Sequence, residues 1–153
     1  MVITIRLAET SDYNGINKLL NELTEEIGKT KLGYRHFYRK SFRKKMFKDA
    51  LKNHSAFFVV AVSGKRVVGY ANLQELTTLR HATHELLIFE FVVDRKYRRE
   101  GAGSKMIGWI QVFAKMNGDR CIKVFCGNDL EQAQKFYEKN GFVCENKGYK
   151  RKL

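Results

Sequence analysis

The segment Phe89-Glu90-Phe91-Val92-Val93-Asp94-Arg95-Lys96-Tyr97-Arg98-Arg99-Glu100-Gly101-Ala102-Gly103-Ser104 constrains the chain more than any other. Residues 89 to 93 are β-branched or aromatic apart from Glu90, which suits a strand. Beyond Gly103 the apolar residues Met106, Ile110 and Phe113 recur at helical spacing. A strand therefore runs through a basic, glycine-containing turn into a helix. The first turn of such a helix carries N–H groups without intrahelical partners and the positive end of the helix dipole. Glycines at 101 and 103 let a ligand approach that backbone. A phosphate suits the position.

Spacing narrows the ligand. A dinucleotide fingerprint, G-x-G-x-x-G, needs glycine where Met106 stands, and a P-loop needs G-K-[ST] where the chain has Gly103-Ser104-Lys105. Both are excluded.

A chain of 153 residues fits one domain, 1–153, with one core. Hydrophobic residues at 44% exclude a disordered chain, and no apolar run approaches the roughly 20 residues of a membrane span. The opening Met1-Val2-Ile3-Thr4-Ile5-Arg6 meets a charge too soon for a secretory signal, so a soluble, cytoplasmic protein is expected. Cys121, Cys126 and Cys144 are odd in number and lack C-x-x-C spacing, which argues for free thiols and against a disulfide framework or a zinc site. A net charge of +13 attracts nucleic acid, anionic membranes or polyanionic cofactors, without choosing among them.

In chain order, Val2 to Leu7 alternates like a half-buried strand, and Thr10, Ser11 and Asp12 offer N-caps for a helix carrying Ile16, Leu20, Leu23 and Ile27 up to Gly28. A second, basic helix is expected over about 35 to 53, read as a solvated face or as a wall that attracts an acidic substrate or polyphosphate. Strands over about 55–62 and 66–74 flank the turn Ser63-Gly64-Lys65 and should be antiparallel neighbours. Residues 74 to 84 read as polar and irregular. Within them His81-Ala82-Thr83-His84-Glu85 is not the H-E-x-x-H of a zinc helix, and substrate contact is its better functional reading. The main strand begins near Glu85, a helix covers 102–117, and Asn117-Gly118-Asp119 turns into a strand over 121–126 parallel to the main one. Asn128 or Asp129 can cap a further helix bearing Leu130, Ala133, Phe136 and Tyr137, closed by Asn140-Gly141. Phe142 to Leu153 supplies a last strand and a basic tail.

This element order resembles that of the GNAT N-acetyltransferase superfamily over nearly the whole chain. Arg98-Arg99-Glu100-Gly101-Ala102-Gly103 resembles its R/Q-x-x-G-x-G/A segment, and Ala133-Gln134-Lys135-Phe136-Tyr137-Glu138-Lys139-Asn140-Gly141-Phe142 its A-x-x-[FL]-Y-x-x-x-G-F signature. Ile5 to Glu9 and Val67 to Ala71 are similar to its opening and third strands. The resemblance implies an α/β (α+β) GNAT fold: a mixed, mostly antiparallel twisted sheet of six to seven strands, about four flanking helices, and a splayed central parallel pair. It implies acetyl-CoA as cofactor, with the pyrophosphate on backbone N–H groups of Arg98, Arg99, Glu100, Gly101, Ala102, Gly103 and Ser104. The pantetheine arm would pair with Phe91, Val92 and Val93, with Asn128 near its far end. Leu130 stands where the family often has Asn, which leaves the roles of Asn128 and Asp129 open. Family members are often dimers.

The reaction so implied is direct attack of a primary amine on a thioester in a ternary complex. An amine with a pKa of about 10 must first lose a proton. Glu90, a carboxylate within an apolar strand beside the thioester, is the favoured base, because burial moves a carboxyl toward a useful pKa; Glu85 is second. Tyr137 is the matching acid for the departing thiolate, whose parent thiol has a pKa of about 8.5. Aminosugar, polyamine, aminoglycoside and peptide or protein amines all remain open as acceptors. The competing readings are a basic nucleic-acid-binding module, supported by Lys147, Lys150, Arg151 and Lys152, and a GNAT-like domain that binds acyl-CoA without turnover.

Overall fold

The computed structural model describes residues 2–28, 40–52 and 56–145, and the statements that follow concern these. The order is β1 (Thr4–Leu7), α1 (Tyr13–Gly28), α2 (Lys40–Ala50), β2 (Ala56–Ser63), β3 (Arg66–Thr78), β4 (Thr83–Val93), α3 (Ala102–Asn117), β5 (Ile122–Val124) and α4 (Glu131–Lys139). The strands lie in one sheet in sequence order, antiparallel from β1 to β4 and parallel between β4 and β5.

Alternation along the strands divides the core. Val59, Ala61, Ala71, Leu73, Leu86, Ile88 and Val93 face α3, where Met106, Ile107 and Ile110 meet them, with Phe136 and Tyr137 of α4 packed at the margin. Phe58, Val60, Tyr70 and Val92 face the other way, onto Ile16 and Leu19 of α1 and Phe47 of α2. The result is a sheet between two helical layers, each burying one apolar face. Entry to α1 is fixed locally: Asp12 is buried, accepts the Glu9 N–H at 2.8 Å and forms a two-pronged pair with Arg6 at 2.7 and 3.0 Å. Thr10 to Asp12 thus form a 3₁₀ turn ahead of α1, with Glu9 rather than any of the three at the cap position.

Several expectations are corrected. Residues 74 to 84 are not irregular: β3 and β4 continue as a hairpin out to Thr78↔Thr83, because Thr77, Thr78 and His84 are polar strand residues on a part of the sheet that projects into water. His84 Nδ1 lies 3.3 Å from Thr77 Oγ1 on this hairpin, and neither His81 nor His84 lines the cleft described below. The second helix is described as Lys40–Ala50; of its expected remainder, Leu51 and Lys52 form a turn, and 35–39 and 53 lie outside the described residues. The parallel strand is Ile122–Val124 rather than 121–126. Residues 142–145 are not a strand, and the rest of the expected last strand and the basic tail lie outside the described residues, so the sheet has five strands among those described. No described helix is long and apolar enough to cross a membrane.

Candidate active site

β4 and β5 pair at Leu86↔Ile122, Leu87↔Lys123 and Ile88↔Val124, and there β5 stops while β4 runs on to Val93. The far edge of β4 is thus left open. Asp94 donates its N–H to the Val68 carbonyl at 2.9 Å. Antiparallel pairs alternate between bonded and non-bonded, so in this register Glu90 and Val92 bond across to Asn72 and Tyr70. The N–H and C=O groups of Phe91 and Val93 therefore turn outward, into the opening. Arg98 Nε takes the Val93 carbonyl at 2.8 Å, in keeping with that direction. Val92, expected beside Phe91 and Val93, has its backbone engaged with β3.

Between Asn72↔Glu90 and Leu73↔Ile88 the register slips by one, which makes Phe89 the extra residue of a β-bulge. Ile88 before it and Phe91 after it both belong to the α3 side. Phe89 and Glu90 consequently stand side by side on the opposite face, toward α1 and α2. The Glu90 carboxylate accepts from Tyr70 Oη at 3.0 Å and from Asn72 Nδ2 at 3.3 Å, and Asn72 Oδ1 accepts from Gln74 Nε2 at 2.7 Å. Burial first, then the charge and hydrogen bond of Glu90, push the Tyr70 phenol far above its ordinary value, so Tyr70 is a permanent donor. Sequence reasoning missed this trio, although Tyr70, Asn72 and Gln74 alternate on β3 and so share a face. Glu85 is buried at the paired end of β4, ion-paired with Lys123 at 2.5 Å; that hydrogen bond holds its carboxyl below the usual range. It does not line the cleft.

The turn into α3 contains two left-handed residues, Arg99 at φ 64° and Gly101 at φ 84°. The first bond within α3 runs from Lys105 N–H to the Gly101 carbonyl at 3.0 Å, so the N–H groups of Ala102, Gly103 and Ser104 precede it and have no intrahelical partner. Gly103 has a packing reason beyond ligand approach: a Cβ there would stand 3.0 Å from the Phe136 ring. On the other side, Glu26 near the end of α1 accepts from Arg95 Nε at 2.8 Å and from Arg98 Nη1 and Nη2 at 2.9 and 3.0 Å. Burial alone would raise the Glu26 pKa, but the hydrogen bonds from Arg98 and Arg95 outweigh it and hold the carboxyl low. The Arg98 side chain is therefore a strut between α1 and the end of β4.

α4 crosses the far side of the opening. Its start is capped by neither Asn128 nor Asp129: the cap position is Leu130, which carries no hydrogen-bonding side chain, while Gln134 Nε2 reaches back to the carbonyls of Gly127 and Asn128 at 2.9 and 3.2 Å. Tyr137 packs edge-on against Phe91, Phe136 and Phe142, with centroids 6.3, 5.3 and 5.5 Å away. Burial, with a smaller contribution from Cys126, pushes its phenol well above the ordinary value.

A cleft of about 1980 Å³ joins these parts. Of the expected residues, Glu90, Phe91, Val92, Val93, Arg98, Arg99, Gly103 and Tyr137 line it. Glu100, Gly101, Ala102, Ser104 and Asn128 do not: Ala102 is buried at the start of α3, and Ser104 and Asn128 are exposed. Among the described residues no group of histidine, cysteine and acidic side chains could hold a metal ion.

The parted parallel pair, with a helix N-terminus beside it, defines the class of fold that the sequence resembles. The profile described as Acetyltransferase (GNAT) family matches residues 16–142, and the chain belongs to that family. Solved structures share the fold at low identity. A transcriptional regulator from Bacillus halodurans C-125 is 22% identical with a TM-score of 0.84, the match covering 99% of this chain and 100% of that one. An aminoglycoside acetyltransferase from an uncultured soil metagenomic sample, in complex with sisomicin, is 16% identical with a TM-score of 0.80 over 99% and 95%. Glucosamine-6-phosphate N-acetyltransferase from Arabidopsis thaliana is 19% identical with a TM-score of 0.76 over 100% and 99%. No curated protein matches by sequence.

Proposed function

We propose that the protein is an N-acetyltransferase that moves the acetyl group of acetyl-CoA to a primary amine by direct attack within a ternary complex. The observation that carries this reading is the parting of β4 from β5 beyond Ile88 and Val124, with the backbone groups of Phe91 turned into the opening. An amide-bearing arm can add to such an edge as a strand would. Phe91 and the Val93 N–H would hold the pantetheine arm, and the N–H groups of Ala102, Gly103 and Ser104 the pyrophosphate, at the positive end of α3. Arg99, exposed on the cleft wall, adds charge of the matching sign. The cleft exceeds the roughly 300–1,000 Å³ of a single small-ligand pocket, which leaves room for an acceptor beside the cofactor.

Bound there, acetyl-CoA supplies a thioester carbonyl open to attack by an amine. Glu90 Oε1 or Oε2 takes the proton that the acceptor must lose, directly or through water, and Tyr70 and Asn72 hold the carboxylate in place. Tyr137, half-buried, is protonated at neutral pH as any phenol is, so its hydroxyl carries a proton that it would give to the leaving sulfur as the thioester bond breaks.

Steady-state thiol release with a primary-amine panel, with acetylated product followed by mass spectrometry and acetyl-CoA binding by calorimetry, tests the assignment. Turnover with at least one amine is expected. Acetyl-CoA binding without turnover would make the protein a non-catalytic acyl-CoA binder. Loss of both, with retained affinity for a generic oligonucleotide, would favour the nucleic-acid module.

A further inference from the structure

We propose that Phe89 is a specificity-determining residue that selects acceptors whose primary amine is carried on an apolar body, an alkyl- or arylalkylamine. The inference deepens the acetyltransfer reading and rests on it. The β-bulge places Phe89 directly beside Glu90 on the α1 and α2 side of β4, so the ring flanks the group proposed to take the acceptor's proton. That ring is 66% exposed within the cleft. Phe125, the residue after the last of β5, lines the same cleft and is 72% exposed. Leu20 and Leu23 of α1 and Met46 of α2 continue the apolar wall.

Large rings left in water inside a cleft mark a surface that a ligand covers. The polar groups nearby are already matched to one another: Tyr70 and Asn72 to Glu90, and Gln74 to Asn72. Arg43, a cation on the α2 wall, is engaged through Nη1 with Asn17 Oδ1 at 2.6 Å and Asn21 Oδ1 at 2.9 Å. Hydroxyls of an aminosugar set against the rings of Phe89 and Phe125 would lose water without gaining a partner from those rings. An apolar body loses nothing there and covers both rings.

The test compares kcat/KM for 2-phenylethylamine and hexylamine with that for spermidine and glucosamine 6-phosphate, at saturating acetyl-CoA, in the parent, Phe89→Ser and Phe89→Leu. Comparing ratios between variants cancels the intrinsic reactivity of each amine. The parent should favour the apolar amines by roughly tenfold or more, Phe89→Ser should reduce that preference by about the same factor, and Phe89→Leu should retain most of it. Because Phe89 is exposed, the thermal midpoint of each variant should match the parent, which separates selectivity from folding. A parent that prefers spermidine or glucosamine 6-phosphate, or a preference untouched by Phe89→Ser, overturns the inference and leaves acetyl transfer standing. Bound acetyl-CoA with no amine turned over overturns the acetyltransfer reading, and this inference with it.

Discussion

Glu26 and Arg98, 72 positions apart in the chain, meet in a two-pronged ion pair, with Nη1 2.9 Å from Oε1 and Nη2 3.0 Å from Oε2. Arg98 Nε is at the same time bonded to the Val93 carbonyl. A carboxylate on the wall proposed for the acceptor thus holds the turn proposed for the cofactor.

The Glu26 carboxyl titrates lower in the folded chain than its ordinary 4.5, because Arg98 and Arg95 outweigh the cost of its burial. Its contribution to stability is therefore complete above about pH 4.5 and is lost as pH falls through the depressed folded value. Glu26→Gln should cost about 1 kcal/mol or less at pH 7, as expected of a partly exposed pair, and the cost should shrink at an acid pH below the depressed folded value. Denaturant midpoints of parent and variant at the two pH values check this; a difference that persists in acid would mean that packing, not the pair, is responsible.

Glu90→Gln should lower kcat by roughly 10²-fold while sparing acetyl-CoA affinity, since it removes a proton acceptor and leaves the α3 N-terminus untouched. The loss should be largest below the acceptor's own pKa and shrink as the free amine becomes abundant. A pH–rate profile parallel to that of the parent would hand the proton to bulk water.

Tyr137→Phe keeps the ring contacts with Phe91, Phe136 and Phe142, so stability should scarcely change. If the hydroxyl supplies the proton to the leaving sulfur, turnover should fall by about 10²-fold or more with acetyl-CoA binding intact. A loss confined to cofactor affinity, worth about 1 kcal/mol, would assign the hydroxyl to positioning.

Ser104 offers a cleaner probe of the pyrophosphate site than Gly103, where a new Cβ would strike Phe136. A carboxylate in the first turn of α3 suits the helix dipole, so Ser104→Asp should leave the fold as stable or slightly more so. The same charge opposes a pyrophosphate, and acetyl-CoA affinity should drop roughly tenfold or more. Unchanged affinity, by calorimetry at low salt, would move the anion elsewhere.

What the sequence disclosed and what it concealed follow from the range of the interactions. α3 was legible at both ends, because Gly101 and Gly118 occupy left-handed positions and the apolar residues between them keep helical spacing. The parallel pairing of β4 with β5 followed from the helix between them. The bulge at Phe89 had no local signal, since a single unmatched residue in an apolar run is defined only by its partner strand. Glu26 was equally hidden: its partners are remote in sequence, and one glutamate near a helix end resembles any other. At the start of α4 the cap rule pointed to Asn128 or Asp129, yet Gln134, reaching back from the first turn, engages the carbonyls of Gly127 and Asn128 instead.

The most direct test is residue-resolved amide exchange by NMR, with and without acetyl-CoA. The Val92 N–H, bonded to β3, should be protected in both states, whereas the N–H groups of Phe91, Gly103 and Ser104 should exchange freely alone and slow together when acetyl-CoA binds. Binding that leaves these three unprotected, or slows exchange at another edge of the sheet, would contradict the placement of the cofactor between β4 and β5.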